Sequence, residues 1–216
     1  MTDLFADLPD TRPEVEHLAE GAVVLPGFVR DRDAALLAEI EKVLSRSPPC
    51  AMETPGGRRM SVMTSSCGRA GWVSDRDGYR YSALDPDTQQ PWPPMPTLLL
   101  DIARRAAAKG GFDNFIPDSC LINCYAPGAR MSLHQDKNER DFTQPIVSVS
   151  LGLPITFLFG GMKRSDKPIR YRLQHGDVAV WGGPVRLAFH GVMPLDEGHH
   201  PLLGRRRINL TFRRAL

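Results

Sequence analysis

From about residue 119 onward the chain is a succession of short apolar or alternating runs, and no helical periodicity interrupts them. The runs are Ser119–Ala126, Arg130–Gln135, Ile146–Leu151, Ile155–Phe159, Ile169–Leu173, Val178–Trp181, Leu187–His190 and Arg206–Arg213. Pro127-Gly128, Gly160-Gly161, Gly176-Asp177 and Gly182-Gly183 stand between them, the residue types that tight turns require. Eight short strands at this spacing, without helices between them, predict a jelly roll or barrel rather than an open parallel sheet.

Two helices are expected ahead of this region. Asp31 to Ser47 carries Leu36, Leu37, Ile40, Val43 and Leu44 at three- and four-residue spacing, with Asp31 or Asp33 available as a cap. Pro96 to Lys109 opens on proline, repeats Leu99, Ile102, Ala103 and Ala106, and stops at Gly110-Gly111. The fold class is therefore mainly β with flanking helices (α+β). The chain has 216 residues, 42% of them hydrophobic, which suffices for a single domain spanning 1–216 with its strand core at 119–213. Residues 50–95 differ in kind: they are rich in glycine and proline, yet hold Trp72, Tyr79, Tyr81 and Trp92 among arginines 58, 59, 69, 76 and 80. Such a stretch reads as a functional lid, the alternative being an irregular layer packed over the core.

A net charge of +2 gives no global field to attract a polyanion, so any nucleic-acid contact must come from a local patch. No run approaches the roughly 18 apolar residues of a membrane span, and the first residues lack the basic and apolar regions of a secretory signal. Cys50, Cys67, Cys120 and Cys124 form no C-x-x-C pair and read as free thiols in a reducing compartment. The expectation is a cytoplasmic protein.

Two features carry chemistry. His134 and Asp136 stand two apart at the end of a strand-like run, so both side chains leave the same face and can converge on one ion. An iron(II) oxygenase needs two histidines and a carboxylate on one face of its metal, and His190, ending its own run before a glycine, is the natural third ligand. A second H-x-D, His175-Gly176-Asp177, sits where a tight turn leads into a strand and reads as a turn beside a surface histidine. In the last run, alternation places Arg207, Asn209, Thr211 and Arg213 on one face and Ile208, Leu210 and Phe212 on the other. The polar face is either an ordinary solvated one or lines a cleft, where two guanidinium forks would suit the two ends of a dicarboxylate.

Together these residues resemble the AlkB family of Fe(II)/2-oxoglutarate-dependent nucleic-acid dealkylases. The likeness runs from residues 4–7 through 54–57, Trp92-Pro93, 121–128, 132–137, 145–154, 160–164, 175–178 and 180–183 to 209–213. It implies a double-stranded β-helix (jelly roll) with N-terminal helices and a nucleotide-recognition lid at 50–95. It implies His134, Asp136 and His190 as iron ligands, and Asn123, Tyr125, Arg207, Asn209 and Arg213 as 2-oxoglutarate contacts. Trp72, Tyr79, Tyr81, Asn138 and Arg164 fall on the substrate side. The implied cofactors are Fe(II), 2-oxoglutarate and O2. The implied reaction is oxidative demethylation of 1-methyladenine or 3-methylcytosine in single-stranded or flipped-base DNA, and in RNA as a second target, releasing formaldehyde and succinate. A monomer without an obligate protein partner is the family's default. One position departs from the pattern: the residue two after the aspartate is acidic in the family and is Asn138 here, which keeps an acceptor and loses the charge. The rival readings are the same oxygenase chemistry on RNA, a protein or a small molecule, a zinc hydrolase, and a non-catalytic metal-binding jelly roll. The last two would leave the paired arginines idle.

Overall fold

The computed structural model describes residues 11–216; the resemblance noted at residues 4–7 lies outside them. A hairpin of β1 (Glu16–Ala19) and β2 (Ala22–Leu25) comes first. It turns at Gly21, whose φ of +78° favours glycine and where a Cβ would stand 2.7 Å from the Gly182 carbonyl oxygen. A 3-10 turn at Arg30–Arg32 leads into α1 (Asp33–Arg46), which buries Leu36, Ile40 and Val43. Neither Asp31 nor Asp33 caps this helix: Arg32 occupies the cap position without a side-chain bond. Asp33 instead accepts from His175 Nε2 at 2.9 Å.

Next come β3 (Met63–Gly68), β4 (Gly71–Asp75) and β5 (Gly78–Ser82), followed by α2 (Thr97–Lys109). The remaining strands are β6 (Ser119–Tyr125), β7 (Met131–His134), β8 (Ile146–Gly152), β9 (Ile155–Phe159), β10 (Ile169–Leu173), β11 (Val178–Trp181), β12 (His190–Val192) and β13 (Arg207–Arg213). Seven strands form one antiparallel sheet in the order β1-β2-β11-β8-β13-β6-β3, four form a second in the order β10-β9-β12-β7, and β4-β5 stand apart as a hairpin. The arrangement is the jelly roll expected of the strand pattern.

Alternation decides what each face of the large sheet meets. Ile122, Val147, Val149, Val180, Ile208, Leu210 and Phe212 pack with Leu36, Ile40, Leu99, Ile102 and Ala106 of the two helices. The opposite face packs Val24, Ile146, Ala179 and Trp181 against Ile155, Phe157 and Phe159 of the small sheet. At full burial each large aliphatic side chain contributes roughly 1.5–3 kcal/mol, so these two layers fix the sandwich. The polar face of β13 points into the second layer, and Arg207, Asn209, Thr211 and Arg213 are all buried. It is not a solvated face.

Three differences from the sequence reading have physical causes. The hairpin β1–β2 and strand β3 join the large sheet although they precede residue 119, because four- to six-residue strands need partners distant in sequence to declare themselves. Residues 50–95 accordingly divide: β3 is a sheet edge, while β4–β5 sit over a small cluster of Met52, Val73 and Trp92. The strand expected at Leu187–His190 begins only at His190, since the 3-10 turn at Gly183–Val185 runs on through Arg186 and Leu187, with the Ala188 N–H donating to the Val185 carbonyl. All four cysteines are free thiols, and among the described residues no helix is long and apolar enough to cross a membrane.

Candidate metal and cosubstrate site

His134 ends β7 and His190 opens β12, and antiparallel pairing sets the two directly opposite one another. Their rings stand 4.4 Å apart between centroids. Asp136, two residues beyond His134, places Oδ1 3.6 Å from His134 Nε2 and Oδ2 3.7 Å from His190 Nε2. One ligand atom from each residue lies within 4.8 Å of the other two, and this is the one such cluster among the described residues. Both rings are oriented from behind: His134 Nδ1 meets the Ser132 carbonyl at 2.9 Å and His190 Nδ1 meets that of Ala188 at 3.0 Å. As donors to these carbonyls the Nδ1 atoms carry the protons, which leaves both Nε2 lone pairs facing Asp136. Burial pushes His190 down to about 4, so the ring is neutral. Burial would raise the Asp136 carboxyl, but the Arg213 guanidinium, which donates two hydrogen bonds to it, outweighs burial and holds the group well below the usual carboxylate range. The face thus offers two imidazole nitrogens and one carboxylate, a donor set suited to Fe(II) with positions left open.

The second H-x-D behaves differently. His175 accepts from the Gly152 N–H at 2.9 Å through Nδ1 and pairs with Asp33 through Nε2. Asp177 is fully buried and takes two bonds from Arg12, with the N–H groups of Gly27 and Gln174 completing its shell. Both members hold a turn, as expected, although the histidine is part-buried rather than at the surface.

A cleft of ≈ 650 Å³ opens from the metal face between the two sheets. Asn123, Tyr125, Arg207, Asn209 and Arg213 all line it, so the structure brings together the five residues expected to contact 2-oxoglutarate. Arg207 is only 1% exposed, and its hydrogen bonds run to neutral groups, Ser150 Oγ at 2.7 Å and the Leu153 carbonyl at 3.4 Å. Its Nε has no partner, nor has Asn123 Oδ1. Burial lowers this guanidinium to about 10, well within its charged range at neutral pH. A buried cation bonded only to neutral groups is costly unless an anion joins it; an anionic cosubstrate fits the cleft. Arg213, at the other end, does not stand open in the same way: its Nε and Nη2 donate to Asp136 Oδ2 at 2.8 and 2.6 Å.

At the mouth, Trp72 of β4 stacks on Tyr79 of β5 with centroids 5.6 Å apart. The Trp72 indole donates to Asn138 Oδ1 at 3.3 Å, and the Asn138 amide donates to the Tyr79 carbonyl at 3.5 Å. Arg164 lies on the rim, donating to the Leu133 carbonyl at 2.8 Å. Trp72, Tyr79, Asn138 and Arg164 line the cleft, but Tyr81 does not. Its hydroxyl turns inward and donates to Glu139 Oε1 at 2.6 Å, and burial raises the phenol far above its ordinary value. Glu139 and Arg186, unmarked in the sequence, are both buried here and bonded to each other at 3.2 Å. Tyr81 lies 58 residues before Glu139 and Arg186 lies 47 after it, so no local pattern could reveal them.

The model of the 2OG-Fe(II) oxygenase superfamily matches residues 21–213. The chain is 53% identical over 215 residues to the alpha-ketoglutarate-dependent dioxygenase AlkB of Escherichia coli (strain K12), covering 100% of this chain and 98% of the relative. It is 43% identical to the AlkB homolog of Caulobacter vibrioides (strain NA1000 / CB15N), with 93% of each chain covered. A solved structure described as that of OsALKBH1 superposes with a TM-score of 0.78 at 28% identity, covering 92% of this chain and 99% of the other.

Proposed function

The chain belongs to the 2OG-Fe(II) oxygenase superfamily and, within it, to the AlkB dioxygenases, and from that premise we propose that it oxidatively demethylates N-alkylated bases in nucleic acid. The observation that carries the reading is the sharing of one cleft by the His134–Asp136–His190 face and the buried Arg207. His134, Asp136 and His190 would hold Fe(II). Arg207 would take the far carboxylate of 2-oxoglutarate, with Asn123, Tyr125 and Asn209 along its length. Arg213, at the iron end, would contact the cosubstrate while fixing Asp136. Bound there, Fe(II), 2-oxoglutarate and O2 together supply the oxidation that hydroxylates an N-linked methyl group, with succinate, CO2 and formaldehyde as products.

The protein's own contribution is positioning and exclusion of water. A base inside a duplex cannot reach a metal held between two sheets, so the substrate is single-stranded or flipped out. Trp72, already stacked on Tyr79, offers one face to the base, and stacking on an aromatic ring is worth roughly 1–3 kcal/mol per base. Arg164 and the lid arginines would hold phosphates and set register without reading sequence. The setting proposed for this activity is a monomer in the cytoplasm, in keeping with four free thiols.

The test is formaldehyde release from single-stranded oligonucleotides carrying 1-methyladenine or 3-methylcytosine, with Fe(II), 2-oxoglutarate, ascorbate and air. Cosubstrate-dependent formaldehyde with restoration of the plain base is expected, and a matched RNA strand measures the second target. Succinate without base repair would leave an oxygenase of another substrate class. Neither product, from protein shown to bind iron, would point to a binding module.

A further inference from the structure

Glu139 is used by none of the roles above, yet its side chain is 2% exposed and its partners arrive from three directions. Tyr81 of β5 donates to Oε1 at 2.6 Å, Arg186 donates to Oε2 at 3.2 Å, and Arg213 Nε lies 3.5 Å from Oε1. Arg186 also donates to the carbonyl oxygens of Asp136 and Gln144, each at 2.9 Å. Arg213 holds Asp136 Oδ2 through two bonds. Two carboxylates, two guanidinium groups and one phenol thus form a closed, charge-balanced network between the metal face and the lid. Tyr81 is its single member from the β4–β5 hairpin.

The weakly shared partner is Arg213. It is bonded to Asp136 at 2.6 and 2.8 Å and stands 3.5 Å from Glu139. If the hairpin lifts, Glu139 Oε1 loses the Tyr81 hydroxyl, and a buried carboxylate oxygen left without a donor is expensive. The nearest replacement is Arg213, and a shift toward Glu139 draws it away from Asp136. We propose that Tyr81 and Glu139 are positioning residues that make the seating of the β4–β5 hairpin and the aim of the Asp136 carboxylate one cooperative unit, so that the lid and the metal each stabilise the other. The inference rests on Asp136 as a metal ligand.

Coupling of this kind is reciprocal. In the full-length protein, Mn(II), a redox-silent stand-in for iron, should slow amide exchange across β4–β5 by about five-fold or more, the lower end of couplings between linked sites. Tyr81→Phe removes only the hydroxyl. It should abolish that protection and weaken Mn(II) binding by a similar factor, and Glu139→Gln, which keeps size and loses charge, should do the same. No Mn(II)-dependent protection in the wild type overturns the proposal. So does an unchanged Mn(II) affinity in the variants, because Tyr81 would then anchor the lid and nothing more. Exchange and metal affinity require no turnover, and formaldehyde release by the wild type tests the demethylase reading separately.

Discussion

Arg207 is the residue whose surroundings depend most on a missing partner. Its Nε is orphaned, and its other bonds go to a hydroxyl and a carbonyl. A hydrogen-bonded charge contact contributes about 1.5–3 kcal/mol, so Arg207→Ala should raise the 2-oxoglutarate KM roughly ten- to a hundred-fold. The measure is succinate formation against cosubstrate concentration; an unchanged KM would remove Arg207 from the cosubstrate site. Asn138 supports a second expectation. Its amide is engaged by Trp72 and Tyr79 and brings no charge to the mouth. Asn138→Asp places a carboxylate where a cationic 3-methylcytosine would approach, and an exposed ion pair is worth about 0.2–1 kcal/mol. The kcat/KM for 3-methylcytosine over neutral 3-methylthymine should rise by about two- to five-fold, measured with both strands in competition. Equal effects on the two bases would mean that the side chain holds Trp72 without sensing charge. The polar set of β13 was legible because alternation is a local property. The grip of Arg213 on Asp136 was not, since the two are 77 residues apart.

At the scale of elements, the metal face depends on how closely β12 approaches β7. Gly191 permits it: a Cβ there would stand 2.6 Å from the Met131 carbonyl oxygen and 3.0 Å from that of Ser132. The Ser132 carbonyl is also the acceptor that orients His134. Gly191→Ala should therefore force the strands apart and turn one ligand while displacing its neighbour, His190. Overpacking of this kind costs about 1–3 kcal/mol of stability, while Mn(II) affinity should fall by more than that loss implies, on the order of ten-fold or beyond. Thermal melts with and without Mn(II) separate the two effects; a lower melting temperature with full metal-induced stabilisation would show that the strands relax without moving the ligands. The sequence showed a glycine after His190, but the reason for it lies in pairing. The same limit explains why both helices and most later strands were legible to within two or three residues, whereas β1, β2 and β3 were not. Short strands carry little periodicity of their own and are specified by the sheet they join.

For the molecule as a whole, the site makes stability depend on pH in a direction that can be worked out. Burial between the sheets holds His190 at about 4 in the folded protein, against an ordinary value of 6.5. Between those values the unfolded chain binds a proton that the folded chain refuses, so stability increases with pH across the window. The contribution is complete above about 6.5 and is lost as pH falls toward 4, amounting to on the order of 2–3 kcal/mol for so buried a ring. Asp136, held below the usual carboxylate range, stays ionised in the folded protein throughout this window, and its own contribution starts to be lost only below about pH 5, where the unfolded carboxyl begins to take up a proton. His200 is also lowered to about 4, by burial and by the stacked His175, but it is only about half withdrawn from solvent and its share is smaller. His200→Gln removes that share. Metal-free His200→Gln protein should still lose melting temperature progressively from pH 6.5 to 4.5, and saturating Mn(II), which binds only the neutral ring, should raise the melting temperature while keeping or steepening that slope, because the unfolded chain still takes up the proton that the loaded site refuses. A metal-free profile that is already flat would mean that the folded protein accepts a proton at His190 without cost. The two sheets would then hold that ring less tightly than the packing of Phe157 and Trp181 around it requires.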